Sequence, residues 1–154
     1  MVDHEARTQL AESVRHLVAG RITNDDFEDG VPYSKADPAI GEVFFDGAWN
    51  LYSDLHEHKL VGRYRLPDSS RPEVARWILF LKTDLEYEWK VLHGLNWLAF
   101  PFGNLLTLGL LGVFLRRRWA KGGDVSVWPF YRESDFKTAL NQHPYLAGKT
   151  ATAP

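Results

Sequence analysis

The sequence predicts a mainly helical single domain with a small β element, and three observations lead to this class. The chain has 154 residues, a usual size for one domain. Its composition is that of a folded protein, with 45% hydrophobic residues and a formal net charge of −2. Apolar residues recur at helical spacing along several stretches, whereas strand-like patterns occur only near residues 59–66 and 124–130. We therefore expect one helical domain over 1–147, followed by a flexible tail over 148–154.

The N-terminal 32 residues predict a helical hairpin. Its first helix runs from about Asp3 to Ala19, because Leu10, Val14 and Leu17 lie on one apolar stripe at helical spacing. Gly20 follows, at the position where a glycine commonly ends a helix. A tight connection to a second helix is therefore expected.

The second helix of the hairpin has a nearly complete set of start signals. Thr23 is a good N-cap residue, and Asp26 stands three residues later, at the positive end of the helix dipole. Ile22 and Phe27 occupy the two positions of a hydrophobic staple, which fixes the angle at which the chain enters a helix. These signals predict a helix that begins directly after Thr23.

The same hairpin, over residues 5–31, resembles the SHOCT-like modules of bacterial proteins. The shared pattern is a leucine-bearing helix, a glycine, a short Ile-Thr turn and an acidic-Phe-acidic sequence. It is carried by Leu17, Gly20, Ile22, Thr23, Asp26, Phe27 and Glu28. The resemblance implies a module that mediates association and contributes no catalytic residue.

The middle of the chain predicts two longer helices. Asp37 and Pro38 form a favourable N-cap and first position, and one apolar face then continues to about His56. A second helix begins after Ser70 and is apolar on nearly all sides through Leu81. Such a helix is expected to be central and buried.

Two short strands and a last helix complete the predicted elements. Weak alternation over 59–66 favours one strand, and the sequence over 124–130 favours another that is stopped by Pro129. Ser134 is expected to cap a final helix that continues to about Asn141.

Residues 94–115 contain no charged side chain and are followed by three consecutive arginines. The segment is long enough to cross a bilayer, but Pro101 and Gly103 interrupt it near its start. The shorter run that remains is typical of a buried core helix, which we favour over a segment at a membrane surface and over a membrane span. The candidate partner or membrane surface comprises Phe27, Leu105, Leu108, Leu111, Arg116, Arg117 and Arg118.

The most metal-like cluster is formed by Asp54, His56 and His58. Two histidines separated by one residue lie on the same side of a strand and can share a metal, but a structural zinc site needs four ligands. Histidines near a helix C-terminus are also explained by the helix dipole. We therefore predict no metal, no cofactor and no catalytic residue. If the chain did bind a metal, the candidate ligands would be His56, His58 and Asp54.

Composition narrows the function further. The absence of cysteine excludes disulfides, thiol nucleophiles and thiolate metal ligands. The near-neutral charge argues against nucleic acid as a partner. The charged N-terminal sequence does not resemble a secretory signal, so we expect a cytoplasmic protein, with peripheral attachment to the inner membrane as an open alternative.

The sequence thus favours a non-enzymatic binding or assembly protein of bacterial type. Its partner is expected to be another protein, a second copy of the chain, or the inner face of the membrane, which it would contact through 94–118. Two alternatives stay open at this stage. One is an immunity protein that neutralises a toxin, and the other is a metal-dependent enzyme that uses His56 and His58.

Overall fold

The computed structural model describes residues 1–89 and 123–143, and this part of the chain is mainly helical. We number its α-helices in chain order: α1 (His4–Val18), α2 (Asn24–Asp29), α3 (Pro38–Glu42), α4 (Arg71–Leu81) and α5 (Glu133–Gln142). The predicted helical class is therefore confirmed. Outside the described residues lie the uncharged segment 94–115, the arginines that follow it and the predicted tail 148–154.

The N-terminal hairpin forms as its capping signals predict. The Thr23 hydroxyl accepts a hydrogen bond of 3.1 Å from the Asp26 amide, and the Asp26 carboxylate accepts one of 3.1 Å from the Thr23 amide. Gly20, which follows α1, has a φ of 65°, a conformation that glycine adopts without strain. The reciprocal caps satisfy two backbone amides and fix where α2 begins.

The predicted helix from Asp37 to His56 is helical only as far as Leu51, and it changes type twice. After α3 the chain forms a π-helical turn over Val43–Gly47 and a 3₁₀ turn over Ala48–Leu51. Tyr52 then takes an extended conformation, with φ −144° and ψ 172°. The apolar face continues through these turns, which explains why the sequence pattern resembles one long helix.

The core lies mainly between α1 and α4. Leu10, Val14 and Leu17 of α1 are completely buried, as predicted from their stripe, and they belong to the same apolar cluster as Trp77 and Leu81 of α4. Burial of side chains of this size contributes about 1.5–3 kcal/mol each. This packing holds α1 across α4 and makes α4 the central helix that its composition predicts.

The small β element is not confirmed by the described residues. They contain one isolated antiparallel bridge, between Thr23 and Lys59, and no strand. Within 59–66 the chain turns through a 3₁₀ helix over Gly62–Tyr64, where Gly62 has a φ of 57°. An extended strand cannot continue through this turn.

The predicted strand over 124–130 is replaced by a turn for a similar reason. The Asp124 carboxylate accepts a 3.0 Å hydrogen bond from the Ser126 amide and caps a 3₁₀ turn over Val125–Val127. The last helix, α5, starts at Glu133, so Ser134 lies inside its first turn and does not cap it.

Candidate functional site

The two histidines named as candidate metal ligands, His56 and His58, lie in a hydrogen-bonded loop. The Nε2 atom of His56 is 2.7 Å from the hydroxyl of Tyr64, and the Nδ1 atom of His58 is 2.9 Å from the carbonyl oxygen of His56. The two imidazole rings are 5.0 Å apart. In the described part of the chain, no group of three histidine, aspartate or glutamate side chains is arranged to hold a metal ion.

Buried Asn24 fixes this loop against α2. Its side-chain oxygen accepts a 2.7 Å hydrogen bond from the backbone amide of His58, and its backbone amide donates a 3.0 Å hydrogen bond to the His58 carbonyl oxygen. These bonds satisfy polar groups that would otherwise be buried without partners. They give the 56–58 loop a structural role that the sequence analysis did not foresee.

Phe27 is a core residue and not part of an accessible surface. It has no solvent exposure, and its ring lies 5.7 Å from that of Phe44 and 6.1 Å from that of Tyr52. The staple position from which Phe27 enters the hairpin explains this burial. The prediction that Phe27 belongs to a partner surface is therefore wrong. The other members of that predicted surface, from Leu105 to Arg118, lie outside the described residues.

The two ends that flank the undescribed residues 90–122 meet at one place. A methyl group built on Gly123 would lie 2.6 Å from Cη2 of Trp89, so the indole ring packs directly on the Gly123 backbone. The indole Nε1 of Trp89 donates to the carbonyl oxygens of Pro129 and Phe130, at 3.1 and 3.2 Å. Glu88 and Arg132 add a bidentate ion pair beside them, with distances of 2.9 and 2.8 Å.

This contact makes Trp89 a buried anchor of the chain at the point where the described residues stop. Trp89 is 3% exposed, and its ring also packs edge-on against Tyr131 at 5.2 Å. This pairing could not be predicted from the sequence, because a Trp and a glycine 34 positions apart carry no local signal.

A groove with a volume of about 440 Å³ lies between the 31–38 loop and α3. Its lining is mostly apolar and consists chiefly of Val31, Pro32, Tyr33, Ile40, Phe44 and Phe45. Two of these aromatic side chains face solvent, since Tyr33 is 88% and Phe45 63% exposed. The π-helical turn carries Phe45, and turns of this kind occur frequently at functional sites.

Two interacting carboxyl groups, one of them in the lining, lie at the edge of this groove. Glu42, which lines the groove at the end of α3, is partly buried and interacts with Asp46, four residues later. Burial and the neighbouring Asp46 charge raise the pKa of Glu42 to about 7, and burial also raises the pKa of Asp46. Two acidic residues at this helical spacing were a usable sequence signal, but it was not recognised.

The carboxyl pair also acts on a half-buried tyrosine. The Tyr87 hydroxyl accepts a 3.1 Å hydrogen bond from the indole Nε1 of Trp128. Burial raises the pKa of Tyr87, and the charges of Glu42 and Asp46 raise it further. Tyr87 is therefore neutral near pH 7, and the described residues around the pair supply no compensating positive charge.

Among the residues that the structure describes, no helix is both long and apolar enough to cross a membrane. Comparison with known proteins gives no further guide to function. No protein-family model, no curated protein and no solved structure shows a significant match to this chain.

Proposed function

We propose that this chain is a non-enzymatic binding and assembly protein of bacterial type that attaches to the inner face of the membrane through residues 94–118. The observation that supports this most directly is the contact between Trp89 and Gly123, because it holds both flanks of the segment together and so favours attachment from one side over a single membrane crossing. The two residues that flank 90–122 thus lie at a single place, and the uncharged residues and the arginine cluster stand between them in the sequence.

The contact determines which kind of membrane association is compatible with the fold. A single crossing by 94–115 would place Trp89 and Gly123 on opposite sides of the bilayer. Separating them would break the packing of Trp89 and its two indole hydrogen bonds. Attachment from one side keeps the body intact and leaves both ends in the same compartment.

The arginine cluster supports the orientation. Arginines that flank an apolar segment are retained on the cytoplasmic side, and basic residues near the inner leaflet are attracted to its anionic lipids. With attachment from one side, Arg116, Arg117 and Arg118 stay on the side that holds the folded body.

Vesicle flotation of the purified full chain tests this proposal. We expect binding to vesicles that contain phosphatidylglycerol and much weaker binding to pure phosphatidylcholine vesicles. Replacing Arg116, Arg117 and Arg118 with Gln removes about 1 kcal/mol per charge and lowers partitioning onto the anionic vesicles by about 100-fold. A matched control replaces three exposed arginines of the body with Gln, namely Arg21, Arg63 and Arg65.

A double substitution separates lipid insertion from core packing. Leu108→Asp with Leu111→Asp is expected to abolish flotation while leaving the thermal unfolding temperature nearly unchanged. If the wild-type chain never floats and this variant loses cooperative unfolding, residues 94–115 belong to the core and the membrane proposal is wrong.

A further inference from the structure

We propose that the groove between the 31–38 loop and α3 is a docking site for an apolar segment of a partner protein that carries a lysine or arginine. This site is separate from residues 94–118, and it adds a protein partner of stated chemistry to the membrane attachment proposed above.

The shape and the exposed aromatics of the groove favour a peptide-like occupant. Its volume of about 440 Å³ lies within the range of natural ligand sites, which is roughly 300–1,000 Å³. Tyr33 and Phe45 expose most of their side chains to solvent although both border an apolar floor that contains Ile40 and Phe44. Exposed aromatic residues of this kind are enriched among those that dominate the energy of protein interfaces.

The carboxylates beside the groove favour an occupant that carries a positive charge. Within residues 1–89 and 123–143, no basic side chain lies within 4.0 Å of the carboxylates of Glu42 or Asp46. Other carboxylates of the chain do have such partners, as Glu12 has Arg15 and Glu88 has Arg132. An occupant that brings a cation supplies the charge that this pair lacks.

The remaining charged groups near the groove do not replace that cation. Lys35 also lines the groove, and no ion pair within 4.0 Å joins it to Glu42 or Asp46. Asp37 also belongs to the lining, and its charge is already neutralised by Arg7 at 2.6 Å. The uncompensated negative charge is therefore that of Glu42 and Asp46.

The carboxyl pair also predicts how docking depends on pH. With a pKa of about 7, Glu42 is partly protonated at neutral pH, and Asp46 and the half-buried Tyr87 are the titratable groups that interact with it. A cation binds the ionised form, so docking releases a proton. The affinity should therefore rise between pH 6 and pH 8, and it should become independent of pH in this range when Glu42 is replaced by Gln.

Fluorescence anisotropy on the full chain without vesicles tests the proposal independently of membrane binding. The probe is a fluorescein-labelled peptide, Gly-Leu-Phe-Lys-Leu, and its control carries Gln in place of Lys. We expect the lysine peptide to bind about 10-fold more tightly, the usual effect of one hydrogen bond to a charged group. The double variant Glu42→Gln with Asp46→Asn should bind both peptides equally.

Substitutions of exposed apolar residues locate the binding surface. Phe45→Ser and Tyr33→Ser should each weaken both peptides, whereas Leu55→Ser, which removes an 89% exposed leucine outside the groove, should leave them unchanged. Thermal unfolding of each variant verifies that it is folded.

Three results would overturn the proposal. The first is that the lysine peptide does not bind at concentrations up to about 1 mM. Coverage of the groove by residues 94–118 of the same chain would give the same result and would also overturn the proposal. The second is a lysine preference that survives the double variant. The third is a concentration-dependent dimer that Phe45→Ser abolishes, because the groove would then hold a second copy of the chain.

Discussion

At the scale of single residues, the Arg7–Asp37 pair joins three parts of the fold. Both side chains are buried, and Nε of Arg7 lies 2.6 Å from the Asp37 carboxylate. Arg7 also donates to the carbonyl oxygen of Thr83 at 3.0 Å, and Asp37 caps α3 through the Ala39 amide at 3.1 Å. Burial alone would raise the pKa of Asp37, but the hydrogen bond and charge of Arg7 and two backbone amides lower it.

We predict that Arg7→Met destabilises the protein by about 3–5 kcal/mol, because it leaves the buried Asp37 carboxylate without its cation. The matched control is Arg15→Met on the same helix, where the pair with Glu12 is partly exposed and the expected loss is below about 1 kcal/mol. Chemical unfolding measures both values. Equal losses for the two variants would show that the buried pair has no special role.

Glu42 should weaken the fold at neutral pH. Its pKa in the folded protein is raised from 4.5 to about 7, so the folded state binds a proton more tightly than the unfolded state. The resulting stability is present below about pH 4.5 and is lost as the pH rises towards 7. We predict that Glu42→Gln raises the free energy of unfolding by about 1–2 kcal/mol at pH 8, a value reduced for partial solvent exposure, and changes it little at pH 4.

Unfolding titrations of wild type and Glu42→Gln at the two pH values check this prediction. The matched control is Glu12→Gln, because Glu12 lies on the surface of α1 and has a basic partner. A stabilisation by Glu42→Gln that is the same at pH 4 and pH 8 would contradict the explanation by proton binding.

At the scale of elements, the π-helical turn after α3 depends on close packing at Gly47. A methyl group at this position would lie 3.3 Å from Cδ2 of Trp77 and 3.3 Å from Cη2 of Trp128. These contacts are tight, so a larger side chain must displace one of the two buried indole rings. The turn therefore brings Phe45 to the groove while its backbone lies against the core.

We predict that Gly47→Leu destabilises the protein by about 1–3 kcal/mol, the usual cost of overpacking a well-filled core. Gly41→Leu is the matched control, because a methyl group at Gly41 would meet no atom within 4 Å. It should be neutral or slightly stabilising, since glycine is a poor helix former. The measurement is the thermal or chemical stability of both variants, and a greater loss for Gly41→Leu would disprove the packing argument.

At the scale of the whole molecule, local patterns predicted the helices but not how they meet. The stripe of Leu10, Val14 and Leu17 and the caps at Thr23 and Asp26 are local signals, and each is confirmed. Arg7 lies on the same stripe, three residues before Leu10, and this position was a sign of its burial that an analysis based on apolar residues overlooks.

The candidate sites depend on contacts between distant residues, which explains why the sequence did not reveal them. The groove requires the 31–38 loop to lie beside the π-helical turn, and Trp89 meets Gly123 only in the folded chain. The wrong prediction of strands at 59–66 and 124–130 has a similar cause. Alternation over a few residues does not show whether a partner strand is available, and here both segments turn.

The central claim is that residues 94–118 attach the protein to the membrane while both of their flanks stay on one side. The chain contains no cysteine, so a single cysteine can be introduced at Lys90 or at Lys121 and labelled with a membrane-impermeant maleimide. In inverted inner-membrane vesicles both positions should react, and in intact spheroplasts neither should. Labelling of the two positions from opposite sides would show that the segment crosses the membrane once, and it would contradict the account.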